Sequence, residues 1–187
     1  MSARRVLALA AAKAVPESVL AAGARLEEGS DLRIEVLHPP PGLVPDAPPI
    51  SNDNSVVVKL TKGTISVLLT GDIEEAGLPW LLRERDAVRA TVLKVPHHGS
   101  RLGEAGERFF RAVHPSFAML SVGRLHHLPA EQTVRALERS AARLYSTRRD
   151  GAIRVRTDGT HLEVTTFKSK GNTQKSTPQV KSQPVDF

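Results

Sequence analysis

The chain has 187 residues, no cysteine and a formal net charge of +6, with 40% hydrophobic, 25% charged and only 4% aromatic residues. Its length fits one domain whose core must be built from aliphatic side chains, and the missing cysteines exclude disulfides, thiolate metal ligands and cysteine nucleophiles. No apolar run approaches the roughly 20 residues needed to cross a bilayer, and the basic balance permits nucleic-acid binding without demanding it.

Residues 1–24 are rich in Ala, Leu, Lys and Arg and predict a helix stopped by Gly23, with a break or a second start near Pro16-Glu17. Arg4-Arg5 and the apolar stretch after them superficially resemble a short export signal. The stretch sits at the short limit for one, so an Ala-rich amphipathic helix is the preferred reading. Residues 32–37 alternate apolar and charged, a half-buried strand. The proline-dense segment from His38 to Ile50 excludes regular structure, and Ser51-Asn52-Asp53-Asn54 is turn chemistry.

Residues 55–60 and 64–70 predict two strands joined at Lys62-Gly63, the second ending in Gly71-Asp72. A helix is expected over 74–85, with Glu74 and Glu75 at its positive end. Residues 90–95 form a buried strand closed by Pro96-His97-His98-Gly99-Ser100. A helix over 104–113 leads to a strand over 117–122, which ends in Gly123-Arg124-Leu125-His126-His127-Leu128-Pro129. A helix over 130–142 turns Val134 and Leu137 inward. Strands over 152–157 and 161–167 flank the turn Asp158-Gly159. These elements make residues 1–167 the folded unit, of α/β class. Residues 168–187, with four lysines against Asp186 and little that is apolar, are expected to form a disordered basic tail.

Three strand ends carry the chemistry: Gly71-Asp72, His97-His98-Gly99-Ser100 and His126-His127. Ligands gather at the carboxyl ends of strands in open α/β folds, because the loops converge there on a rigid sheet. Asp and His suit Zn²⁺ or Mn²⁺, and a carboxylate can bridge two ions that activate water between them. Asp72 also suits a helix N-cap, and a His pair after a strand is commonly surface turn. His38, His114 and His161 have no convergent partner and read as structural or solvated.

The runs Asn52-Asp53-Asn54-Ser55-Val56-Val57-Val58, Leu68-Leu69-Thr70-Gly71-Asp72-Ile73-Glu74, Leu93-Lys94-Val95-Pro96-His97-His98-Gly99-Ser100 and Ser121-Val122-Gly123, in this order, resemble the ComEC/Rec2-type branch of the metallo-β-lactamase superfamily. The resemblance covers most of residues 14–167. It implies an αββα sandwich with a dinuclear Zn or Mn site at one sheet edge. Asp72 then matches the bridging aspartate, His97 or alternatively His98 matches an active-site histidine, and His127 or His126 matches the last ligand. Ser100 is a hydrogen-bond donor to substrate or ligand in the same scheme.

The superfamily's His-x-His-x-Asp-His motif has no counterpart, since the first histidine is His38 and no two histidines are separated by a single residue. The resemblance therefore fits the C-terminal half of the domain only. Three readings compete. In the first, the chain completes a metal-dependent phosphodiesterase for incoming DNA, inactive alone, with the N-terminal half and a membrane channel supplied by the same or a separate chain. In the second, it is a degenerate binding or structural module, with a homodimer as one way to cover an exposed sheet face. In the third, it belongs to a metallo-hydrolase acting on something other than DNA. The first places the chain at the bacterial cell membrane within a larger protein, and soluble if expressed alone.

Overall fold

A computed structural model describes residues 3–29, 31–45, 51–123, 127–140, 142–167 and 173–176. Among these residues, ten strands and five α-helices follow the order α1 (Ala3–Ala12), β1 (Arg25–Glu28), β2 (Leu32–His38), β3 (Val57–Lys62), β4 (Ile65–Leu69), α2 (Leu78–Leu81), β5 (Val92–Lys94), α3 (Gly103–Val113), β6 (Phe117–Leu120), α4 (Glu131–Arg139), β7 (Arg143–Ser146), α5 (Thr147–Asp150), β8 (Ala152–Thr157), β9 (Leu162–Phe167) and β10 (Thr173–Ser176). β1 to β7 form one sheet in sequence order, antiparallel from β1 to β4 and parallel from β4 to β7. β8, β9 and β10 form a second, antiparallel sheet.

Strand alternation decides the layering. Leu68, Leu93, Ala118 and Leu120 point to one face and meet Leu78, Leu81, Phe109, Phe110, Val113 and Leu137 of α2, α3 and α4. Ile65, Val92, Phe117 and Tyr145 of the same sheet point to the other face and pack on Leu162 and Val164 of β9. Such period-2 division is what a strand buried on both sides requires. The result is three layers, helices over the large sheet over the small sheet. The turn between β3 and β4 is tied to the small sheet by the Thr64 amide, which donates to the Gly159 carbonyl at 2.8 Å. α3 buries Ala105, Phe109, Phe110 and Val113 along one stripe. It ends at His114, whose left-handed backbone (φ 48°) lets its amide bond the Phe110 carbonyl.

The structure departs from the sequence reading in six places. The N-terminal helix ends at Ala12, and the expected second start near Pro16 is absent. The helix expected over 74–85 shrinks to α2 and a 3-10 turn at Leu82–Glu84. Pro79 is the cause: its ring collides with the carbonyl of residue 75 in any helix begun earlier, so it is tolerated only in the first turn. β1 and β7 were not anticipated, nor was α5. Thr173–Ser176, inside the segment expected to lack structure, pairs with β9. The remainder of that tail, and the alternative ligand His126, lie outside the described residues. No helix among the described residues is long and apolar enough to cross a membrane.

Candidate functional site

Because β4, β5 and β6 run parallel, their carboxyl ends lie on one edge of the sheet. Leu69 pairs with Lys94 and Lys94 with Met119, so the loops that follow start side by side. Asp72 follows β4, His97 and His98 follow β5, and Ser121 follows β6.

Local backbone geometry turns the side chains toward one another. Gly71 adopts φ 54°, and a Cβ there would stand 3.0 Å from Ser55 Cβ. The Asp72 amide donates to Ser55 Oγ at 3.2 Å, which sets the direction of its carboxylate. His97 (φ 42°, ψ 48°) and His98 (φ 55°, ψ 18°) both occupy the left-handed region. Two consecutive non-glycine residues there cost about 1 kcal/mol or more each, and the conformation persists because the surrounding loops pin it. The His97 amide reaches the Gly71 carbonyl at 3.4 Å, and the Ala130 amide donates to the Gly99 carbonyl at 2.8 Å.

Both imidazoles are held by Nδ1. His98 Nδ1 lies 2.6 Å from the Ser121 carbonyl. A carbonyl only accepts, so Nδ1 carries the hydrogen and Nε2 of the neutral ring presents its lone pair. That Nε2 faces Asp72 Oδ2 at 3.5 Å. His97 Nδ1 lies 2.8 Å from Glu74 Oε1, which also accepts from Asn52 Nδ2 at 2.9 Å. Anchoring of one ring nitrogen by a carbonyl or carboxylate is how metal-ligating histidines are oriented.

Lys94 completes the cluster. Its ammonium donates to the Gly71 carbonyl and pairs with Asp72 Oδ1 at 3.2 Å. Partial burial pushes the Asp72 carboxyl upward, but the hydrogen bond and charge of Lys94, with His98 and His97 beside it, outweigh burial and hold it below its ordinary value. The carboxylate is thus held in its ionised form.

The donor set fits a metal ion on one side. Two ligand atoms 2.0–2.2 Å from a tetrahedral ion stand about 3.4 Å apart, close to the 3.5 Å between His98 Nε2 and Asp72 Oδ2. Among the described residues, no group of three His, Asp or Glu side chains converges as a cage.

Of the four residues singled out from sequence, Asp72 and His98 meet, and His97 is directed to Glu74 instead. His127 is exposed, and no hydrogen bond or ion pair joins it to Asp72 or His98 among the described residues. The Ser100 hydroxyl is buried without a hydrogen-bond partner among the described residues. Lys94, Glu74, Asn52 and Ser55 were not singled out as site residues. The signal for Lys94 was its place at the end of the strand beside Gly71-Asp72. A hollow of about 300 Å³ lies elsewhere, lined by Val36, His38, Trp80, Leu81 and Val88 and by none of the cluster.

The fold and site define an α/β protein with a polar cluster of Asp72, Lys94, His97 and His98 where parallel strands end. The chain is similar to ComE operon protein 3 of Bacillus subtilis (strain 168), 36% identical over 129 residues that cover 67% of this chain and 16% of that protein. It is also similar to the uncharacterized protein YcaI of Escherichia coli (strain K12), 56% identical over 50 residues, 26% of this chain and 7% of that one. The chain thus spans less than a fifth of the length of these relatives. The first similarity supports kinship with the ComE/ComEC-type proteins that the motifs resemble. No family model matches the chain.

Proposed function

We propose that the chain is the C-terminal half of a metallo-β-lactamase-like αββα domain of ComEC/Rec2 type, and that the completed domain is a metal-dependent phosphodiesterase acting on DNA during uptake. The observation that carries this reading is the facing pair of Asp72 Oδ2 and His98 Nε2 at the strand ends, with the ring anchored from behind by Ser121. The similarity to a competence-operon protein supports DNA uptake as its setting. Helices over a large sheet over a small sheet are compatible with an αββ part of such a sandwich.

A divalent ion, Zn²⁺ or Mn²⁺, would be held by Asp72 and His98, with His97 and His127 as further candidates. Such an ion supplies an activated water and a charge to hold a phosphate oxygen. Within this chain Ser55 orients Asp72, Ser121 and Glu74 orient the two rings, and Lys94 offers a fixed positive charge. The remaining ligands come from a His-x-His-x-Asp-His segment elsewhere in the assembly, which also contains the membrane channel. With few ligands the isolated chain binds metal weakly, because ligand number and preorganisation set affinity, and it does not turn over DNA.

The test mixes the chain with the polypeptide that carries that segment and assays Mn²⁺- or Zn²⁺-dependent cleavage of single-stranded and duplex DNA. Cleavage that needs both parts and is lost in Asp72→Asn supports the reading. Cleavage by the isolated chain that persists in Asp72→Asn sinks it, and cleavage of a lactam or thioester but not DNA would move the protein to another substrate class.

One observation favours a second reading, a binding or structural module of the same ancestry. The Asp72 carboxylate is already paired with Lys94, and a neutralised carboxylate can serve to hold the loops together.

A further inference from the structure

We propose that β1 is a dimerisation edge: two copies of the chain pair antiparallel across a two-fold axis at Leu26, merging their seven-stranded sheets into one. This inference is independent of the metal-binding reading above.

β1 ends the large sheet, and no strand lies on its outer side among the described residues. An open row of amides and carbonyls is a template for another strand, and proteins commonly blunt such edges. This chain blunts the opposite one. On β7 the Ser146 amide donates to Asp150 Oδ2 at 2.8 Å, and the Leu144 carbonyl accepts from Arg149 Nη2 at 2.6 Å. β1 has no such guard. It holds no proline and no bulge, and Arg25, Leu26 and Glu27 are exposed.

The free edge sets a register. The Val36 amide donates to the Ala24 carbonyl at 2.9 Å, in line with the pairing of Arg25 with Glu35 and Leu26 with Ile34. Backbone bonding alternates along an antiparallel strand. Leu26 therefore turns its amide and carbonyl to β2, while Arg25 and Glu27 turn theirs outward. All four outward groups are satisfied when Arg25 of one copy bonds Glu27 of the other, and that arrangement puts the axis at Leu26.

The side chains agree with this register. Arg25 stands opposite Glu27 of the second copy at both ends of the ladder, and opposite charges directly across an antiparallel pair attract. At the axis Leu26, 49% exposed, meets its own copy. Leu26 is also the outer end of an aliphatic row, with Ile34, Leu60 and Val67 as successive cross-strand partners. Val67 packs on the cluster that the small sheet covers, so pairing carries this row from one molecule into the next. Because the axis reverses strand direction, the two Asp72 clusters open at opposite edges of the merged sheet.

The experiment is sedimentation equilibrium of the full chain over a range of concentrations, with oxidation of single-cysteine variants in a chain that has no cysteine of its own. The expected result is a reversible dimer of the 20.2 kDa chain. Leu26→Lys and Leu26→Glu each place like charges at the axis and weaken it at least about tenfold, and an equimolar mixture of the two restores it. Directly opposed residues of a non-hydrogen-bonded pair have Cα atoms about 4.5 Å apart, within disulfide reach, so Leu26→Cys cross-links to itself. Glu27→Cys does not, because its diagonal spacing of about 7–8 Å exceeds that reach. Thermal melts matching the unmodified chain check that each variant folds. A monomer at every concentration would overturn the proposal. A dimer left intact by both charge variants lies on another surface, and cross-linking at Glu27→Cys in place of Leu26→Cys sets another register; either result would overturn it as well.

Discussion

His98 Nε2 and Asp72 Oδ2 stand 3.5 Å apart while the other ring nitrogen of His98 is held by the Ser121 carbonyl at 2.6 Å. Neither group can donate to the other when the ring is neutral, so a cation between them relieves the opposition. A ligand that binds only the folded state raises its stability. Mn²⁺ or Zn²⁺ is therefore expected to raise the melting temperature of the chain. Asp72→Asn and His98→Ala are each expected to weaken the apparent affinity at least about tenfold, with His97→Ala less harmful because its ring is directed to Glu74. Thermal melts across a metal titration check this. A full shift retained by His98→Ala would refute the pairing.

His38 gives the fold a pH dependence of its own. The ring is fully buried, its Nδ1 donates to the Ser55 carbonyl at 2.9 Å and its Nε2 has no partner among the described residues. Burial pushes its pKa down, against the opposing pull of the Ser55 carbonyl and the Asp53 charge. The unfolded chain, whose imidazole titrates near about 6.5, therefore takes up this proton more readily than the folded chain. The stability due to the neutral ring is complete above that value and is lost as pH falls through it toward the folded pKa. His38→Asn keeps an N–H donor for the Ser55 carbonyl and does not titrate. Below about pH 6.5, the melting temperature of the unmodified chain is expected to fall more steeply than that of His38→Asn. Parallel curves would rule out His38 as the source.

Gly99 closes the histidine turn in a conformation that only glycine adopts without strain, at φ 84°. A Cβ there would stand 2.7 Å from Leu120 Cδ2 and 2.8 Å from Pro129 Cβ. Gly99→Ala adds a left-handed alanine and an overpacked contact, together worth roughly 2–4 kcal/mol of destabilisation. Urea unfolding measures it, and a loss below about 0.5 kcal/mol, the size of an ordinary surface substitution, would contradict the close approach.

Which parts were legible in the sequence follows from where the information sits. The pair β3 and β4 was readable because valine-rich alternation flanks Lys62-Gly63, and β8 and β9 because Asp158-Gly159 separates two alternating runs. β1 was not, since Arg25–Glu28 has a single apolar residue and its strand state comes from pairing with β2. β7 and α5 are four residues each, too short for periodicity to declare itself. That the Gly71-Asp72 and His97-His98 turns stand at neighbouring strand ends was readable from the order of the elements. Which ring faces which carboxylate was not, because it depends on two left-handed residues that propensity disfavours. Lys94 escaped notice for a related reason: its role needs the register of β4 against β5, which no local pattern states.

Asp53 ties the support of the site to its function. Its Oδ1 accepts from the Gly77 amide at 2.8 Å, joining the turn before β3 to the loop before α2. Its neighbour Asn52 donates to Glu74, which holds His97 Nδ1. Removing a charged acceptor costs about 1.5–3 kcal/mol, so Asp53→Ala is expected to lose that order of stability in urea unfolding, while Asp53→Asn, which keeps an acceptor oxygen, loses less. The same variant should move the ring resonances of His97 in NMR spectra, because Asn52 and Glu74 are then held less firmly. A control such as Leu137→Ala, which opens the core on α4, is expected to destabilise the chain without that shift. If Asp53→Ala lowers stability yet leaves the His97 ring unmoved, the turn supports the fold alone and His97 is positioned by its own loop.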